Sequence, residues 1–130
     1  MARILVIDDD KDIIDIIRYT VSQGGHEVIE ALNGKEGLER ATVERPDLII
    51  LDIMMPEMDG LTLNGLLAAG AATKNIPVII LTAKGGMREM FASSRNVQCY
   101  MDKPFEPSTL REEIQTILTK KNQIPASPPL

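Results

Sequence analysis

Ile4-Leu5-Val6-Ile7-Asp8-Asp9-Asp10 is a short apolar run that ends abruptly in three aspartates. An uninterrupted apolar run of this length is what a strand buried on both faces requires. The acids mark the point at which the chain leaves the core. The same pattern recurs downstream. Leu48-Ile49-Ile50-Leu51 ends at Asp52, Pro77-Val78-Ile79-Ile80-Leu81 ends at Thr82, and Val97 to Met101 stops shortly before Lys103. Glu27 to Leu32 mixes β-branched and polar residues and reads as one more strand.

Between these runs the apolar spacing turns helical. Ile13, Ile14, Ile16, Ile17 and Val21 follow a helical period that Gly24-Gly25 stops. Asn33-Gly34 opens a second helix that reaches about Glu44, and Leu61 to Ala72 predicts a third, weakened by Gly65 and Gly70. A weak helix is expected over Met87 to Ser94, after the Gly85-Gly86 break. The last helix is expected over Pro107 to Leu118, with Thr109 and Glu112 at capping-box spacing. The order is βα repeated five times, which implies a parallel α/β sheet with helices on both faces and right-handed crossovers.

Composition narrows the function classes. The 130 residues are 44% hydrophobic and 25% charged, as expected of one globular domain. No apolar run approaches the roughly 18 residues of a membrane span, and the first residues lack signal-peptide order. The single cysteine, Cys99, leaves no disulfide framework and reads as a small core residue. A net charge of -5 with 3% aromatics argues against nucleic-acid binding by this domain. A cytoplasmic location is expected. Residues 1–120 read as one domain and 121–130, rich in proline, as a disordered tail or the start of a linker.

In a parallel α/β sheet, ligands bind beyond the carboxyl ends of the strands. The residues there are Asp8, Asp9, Asp10, Asp52, Thr82 and Lys103. Taken singly, each has a structural explanation: Asp10 or Asp12 could cap a helix, and threonine suits a strand. Taken together, they place polar groups from four strands at one end of one sheet. Crowded carboxylates repel and rise in pKa unless a cation compensates. Two carboxylates, a carbonyl and waters suit Mg²⁺, and a lysine with a hydroxyl can hold phosphoryl oxygens. An aspartate there is a competent nucleophile.

Two other acidic motifs fail on spacing. Asp8, Asp10 and Asp12 match the first positions of an EF-hand loop, but Ile13 replaces its glycine and Tyr19 its final glutamate. Asp8-x-Asp10 also suggests a haloacid-dehalogenase-type phosphatase. Asp12 stands where those enzymes usually carry Thr or Val, and the chain is too short for a cap domain. His26 has no His or Cys near it in sequence and reads as structural. Met54, Met55 and Met58 read as soft filling beside hard carboxylates.

Over about residues 2 to 120 the chain resembles the receiver domain of two-component response regulators. The motifs that carry the resemblance are Ile4 to Asp10, Leu51-Asp52-Ile53-Met54-Met55-Pro56-Glu57-Met58-Asp59-Gly60, Leu81-Thr82-Ala83 and Asp102-Lys103-Pro104-Phe105. The resemblance implies a flavodoxin-like three-layer (βα)5 sandwich with strand order 2-1-3-4-5. It implies that Asp52 is the phosphoacceptor, fed by the phosphohistidine of a sensor histidine kinase or a histidine phosphotransfer protein. It assigns Mg²⁺ to Asp9, Asp52 and the backbone carbonyl of Met54, with Asp8 acting through water. Lys103, aimed by a cis bond to Pro104, would pair with the phosphoryl oxygens. Thr82 would move to bond the phosphoryl group and Tyr100 would swing inward, a two-state switch read by an unknown downstream effector. The reporting surface would be the fourth helix, the fifth strand and the last helix, from about Gly85 to Leu118.

Departures from the family lie on that surface. Twenty residues separate Thr82 from Lys103, about one fewer than usual, and Arg95-Asn96-Val97-Gln98 replaces the common Gly-Ala pair. Leu66 to Ala72 is more apolar than an exposed helix, with core packing the favoured explanation over a partner face. The expected function is a phosphorylation-driven switch rather than an enzyme, monomeric or weakly dimeric, with only slow self-dephosphorylation. It is either a stand-alone receiver or part of a longer regulator. The alternatives are a small Mg²⁺-dependent aspartyl phosphatase and a degenerate receiver that serves only for docking.

Overall fold

The structure is a computed structural model that describes residues 2–55, 58–83, 91 and 94–123. The chain order is β1 (Arg3–Ile7), α1 (Lys11–Ser22), β2 (Glu27–Ala31), α2 (Gly34–Glu44), β3 (Leu48–Leu51), α3 (Gly60–Ala69), β4 (Val78–Thr82), β5 (Val97–Asp102) and α4 (Pro107–Gln123). The five strands are parallel and lie in the order β2-β1-β3-β4-β5. The expected helix over 87–94 lies outside the described residues, apart from Phe91 and Ser94.

The continuous apolar runs are explained by alternation across the sheet. Ile4 and Val6 of β1, Leu48 and Ile50 of β3, and Ile79 and Leu81 of β4 face α1 and α4, where they meet Ile14, Ile17, Leu110 and Ile114. Leu5 and Ile7, Ile49 and Leu51, and Val78 and Ile80 point the other way, onto Ala41, Leu63 and Leu67 of α2 and α3. Successive strand residues point to opposite faces, so a strand covered on both sides has no polar position to spare. Each such buried side chain contributes about 1.5–3 kcal/mol from water exclusion. Within Leu66 to Ala72 the helix divides the same way. Leu67 is fully buried and Leu66 is 43% exposed.

Helix starts follow local polar chemistry. The Asp10 side chain accepts from the Asp12 N–H, Asn33 from Glu36, and Asp59 from Thr62, so each caps the helix that follows. The last helix differs from expectation. It begins at Pro107, whose fixed φ and missing N–H suit a first turn, and the Leu110 N–H donates to the Glu106 carbonyl. Thr109 therefore lies inside the helix and caps nothing, so no Thr109–Glu112 capping box forms. The helix also continues to Gln123, three residues into the segment expected to be a tail. The third helix stops at Ala69 rather than Ala72, because Gly70 leaves helical geometry at ψ 135°.

Register is what builds the site. Ile7 pairs with Leu51, so Asp8 and Asp52 emerge side by side from adjacent strands. The Asp52 N–H donates to the Ile7 carbonyl at 3.0 Å, and the Asp8 N–H to the Ala31 carbonyl at 3.1 Å. On the other side Thr82 pairs with Asp102, and the Lys103 N–H donates to the Thr82 carbonyl at 2.8 Å.

Candidate phosphoacceptor site

Asp8, Asp9 and Asp52 converge at the carboxyl ends of β1 and β3. One carboxylate oxygen from each lies within 4.8 Å of the others. Asp8 and Asp52 are buried, while Asp9 is exposed at the mouth. The Lys103 ammonium reaches them from the end of β5, with Nζ 2.8 Å from Asp8 Oδ2 and 3.6 Å from Asp52 Oδ2. The peptide bond from Lys103 to Pro104 is cis, as the sequence led us to expect.

Backbone donors fix the acids. The Asp10 N–H donates to Asp8 Oδ1 at 2.9 Å and the Met54 N–H to Asp52 Oδ1 at 3.3 Å. The loop after β3 is held close to α3 by the Gly60 N–H, which donates to the Ile53 carbonyl at 2.7 Å. A Cβ on Gly60 would lie 2.5 Å from both the Asp52 carbonyl oxygen and Ile53 Cα, so only glycine allows this approach. The sequence reading quoted Gly60 within its motif but gave it no role. A sharp turn opening a helix beside a buried acid was the available signal.

The Asp52 carboxyl is pushed up to about 6, first by burial and then by the Asp8 charge. Lys103 and the Met54 N–H pull the other way, and Asp9 adds a smaller push upward. A carboxylate crowded by two others and only partly offset by one ammonium is short of positive charge. The donor set is all oxygen and largely preformed, which fits a small hard cation such as Mg²⁺ better than a softer metal.

The remaining expected residues fall around this cluster. Thr82 is fully buried at the end of β4, beside Lys103. Tyr100 is half-buried on β5, its ring 6.1 Å from that of Phe91. Met54 is 53% exposed while Met55 is buried in the α2–α3 core. His26 is structural, as expected: its Nδ1 accepts the Ala2 N–H at 3.1 Å, far from the acids in the sheet. Cys99 is half-buried against the α1–α4 core.

A flavodoxin-like sheet with an acidic cluster and a lysine at the carboxyl ends of its central strands defines a class of signalling domains. The profile of the response regulator receiver domain matches residues 4–115. The chain belongs to the response regulator receiver domain family. It is 34% identical over 126 residues to the DNA-binding dual master transcriptional regulator RpaA of Synechocystis sp., covering 96% of this chain and 52% of RpaA. It is 34% identical over 119 residues to protein PilH of Pseudomonas aeruginosa, covering 91% of this chain and 98% of PilH. The chain thus spans about half of the first relative and nearly all of the second. Among solved structures, the CheY-like receiver domain protein of Methanospirillum hungatei superposes with a TM-score of 0.86 at 27% identity, covering 95% of this chain and 98% of that one.

Proposed function

We propose that Asp52 is the phosphoacceptor of a two-component signalling switch. The observation that carries this reading is the convergence of Asp8, Asp9, Asp52 and Lys103 from three different strand ends. A phosphohistidine of a sensor kinase or phosphotransfer protein would present its phosphorus to an Asp52 carboxylate oxygen. The new O–P bond forms as the N–P bond breaks, and the electron pair returns to the imidazole nitrogen. Asp8, Asp9, Asp52 and the Met54 carbonyl would hold Mg²⁺, which supplies charge stabilisation for the phosphoryl oxygens when bound. Lys103 sits where its ammonium can pair with the same oxygens. The Thr82 hydroxyl is the neighbouring group that can hydrogen-bond the phosphoryl group, with Tyr100 following it inward.

The partner would approach the mouth of the site, where α1 begins. Ile16 and Tyr19 are exposed apolar side chains on that helix, at 48% and 69%. They suit contact with a helical partner. Residues 1–120 form the receiver unit, and residues 121–130 would be a tail or linker to an effector. No described helix is long and apolar enough to cross a membrane, which is consistent with a cytoplasmic role.

Incubation with acetyl phosphate and Mg²⁺ tests the reading. Intact mass rises by one phosphoryl group, and Asp52→Asn abolishes the rise. An unmodified wild-type protein would leave only the docking role, and sustained hydrolysis of simple phosphate esters would make it a phosphatase.

A further inference from the structure

At the opposite end of the sheet from the acids, a cavity of about 220 Å³ opens between the start of β4, the start of β5 and the second half of α4. Three cations line it: Lys74 from the turn after α3, Arg95 from the turn before β5, and Lys120 from α4. No acidic side chain lines it, and none of the three makes an ion pair among the described residues. Elsewhere Arg3, Lys11, Arg18, Arg40 and Lys103 are all engaged by carboxylates. In a protein of net charge -5, three unpaired cations around one cavity form a local positive potential.

The cavity also has an apolar wall and buried polar groups. Pro77 and Ile117 are buried residues that face into it. Asn96, only 4% exposed, lines it as well. Its amide Nδ2 donates to Asn64 Oδ1 at 2.7 Å, but its own Oδ1 is buried without a partner. A buried acceptor left unpaired costs about 1–3 kcal/mol, so it calls for a donor. Beside it, the β4–β5 pairing passes from Val78–Val97 to Ile79–Cys99 and leaves Gln98 over as a bulge. Gln98 lines the cavity too. Bulges of this kind re-aim a side chain at sheet edges and next to sites.

We propose that this cavity binds a small phosphate monoester that carries an organic ring with hydrogen-bond donors, of the size of a nucleoside monophosphate. The cations take the phosphate dianion, Pro77 and Ile117 take the ring, and ring or sugar donors satisfy the amide oxygens. Bare phosphate would leave most of the cavity and the Asn96 oxygen unused. The site is separate from the acidic cluster, and its occupancy does not depend on phosphotransfer to Asp52.

The test is titration of the whole chain with AMP, adenosine and inorganic phosphate in magnesium-free buffer, followed by calorimetry and amide NMR. AMP is expected to bind saturably, about tenfold or more tighter than either fragment, and more weakly as salt rises. Amide shifts should centre on Arg95 to Gln98. The Lys74→Gln, Arg95→Gln, Lys120→Gln triple variant should weaken AMP about tenfold while keeping the wild-type melting curve. If the triple variant melts early, the Lys74→Gln and Arg95→Gln single variants carry the comparison. Absence of saturable AMP binding, equal binding of adenosine or phosphate, or an unchanged affinity in folded variants would overturn the proposal.

Discussion

The Lys103 ammonium rests on Asp8 rather than on Asp52, at 2.8 Å against 3.6 Å. Lysine is therefore the cation nearest the buried acid pair, and an incoming divalent ion must share the acids with it. Replacing Lys103 by Gln removes that competition. Magnesium should bind about tenfold tighter, read as a larger shift in melting temperature per added Mg²⁺. Phosphorylation by acetyl phosphate should nonetheless slow by about tenfold or more, because the group that pairs with the phosphoryl oxygens is gone. Unchanged phosphorylation would remove Lys103 from the proposed site.

The raised Asp52 carboxyl has a consequence for stability. In the unfolded chain this group releases its proton near 3.8, and in the folded chain near 6. Between those values the folded state binds more protons, so stability from this group falls as pH rises and is at its lowest above about 6. The loss is at most about 3 kcal/mol. Asp52→Asn should abolish that slope and be more stable than wild type at neutral pH in the absence of metal. The gap should close below pH 4 and narrow on addition of Mg²⁺. Denaturant titrations across this range measure it.

Two glycines of α3 should respond in opposite ways. Gly60→Ala forces a methyl into the Asp52 and Ile53 backbone, both 2.5 Å from the ideal Cβ. It should cost about 3 kcal/mol and weaken Mg²⁺ binding together with it. Gly65 has nothing within 4 Å of its ideal Cβ and is exposed in the helix. Gly65→Ala should stabilise the fold by about 0.5–1 kcal/mol and leave phosphorylation untouched. Thermal and denaturant melts of the two variants decide it.

Asn64 and Asn96 tie α3 to the start of β5 through one buried amide contact of 2.7 Å. Either alanine variant leaves its partner buried and unpaired, at a cost of about 1–3 kcal/mol. The double variant should cost less than the sum of the two by about 1 kcal/mol. Strict additivity would show that the contact contributes nothing.

Strand positions were legible because β1, β3 and β4 are buried on both faces and announce themselves as unbroken apolar runs. The site was legible for the same reason, since a polar residue after such a run can only stand at the sheet end. Asp10 against Asp12 as helix cap was not legible, because both offer the same oxygen and only the backbone turn selects between them. The final helix was drawn too short because Lys120 to Gln123 lack apolar residues that would mark a buried face. Asn96 looked like a departure in a polar loop. Its burial depends on Asn64, which is distant in sequence and becomes its neighbour only after β4 and β5 pair.

Asp8 and Lys103 meet across 95 positions of chain. No contiguous fragment that stops short of β5 contains the site, however well its first strands and helices pack. On the ribosome, a chain synthesised to Thr82 already has the three acids but lacks the ammonium that gathers them. Competence to take up phosphate would then switch on only once the edge strand has docked. Phosphorylation would thus report that folding has finished, and a pulse of acetyl phosphate during refolding could time the last strand's arrival.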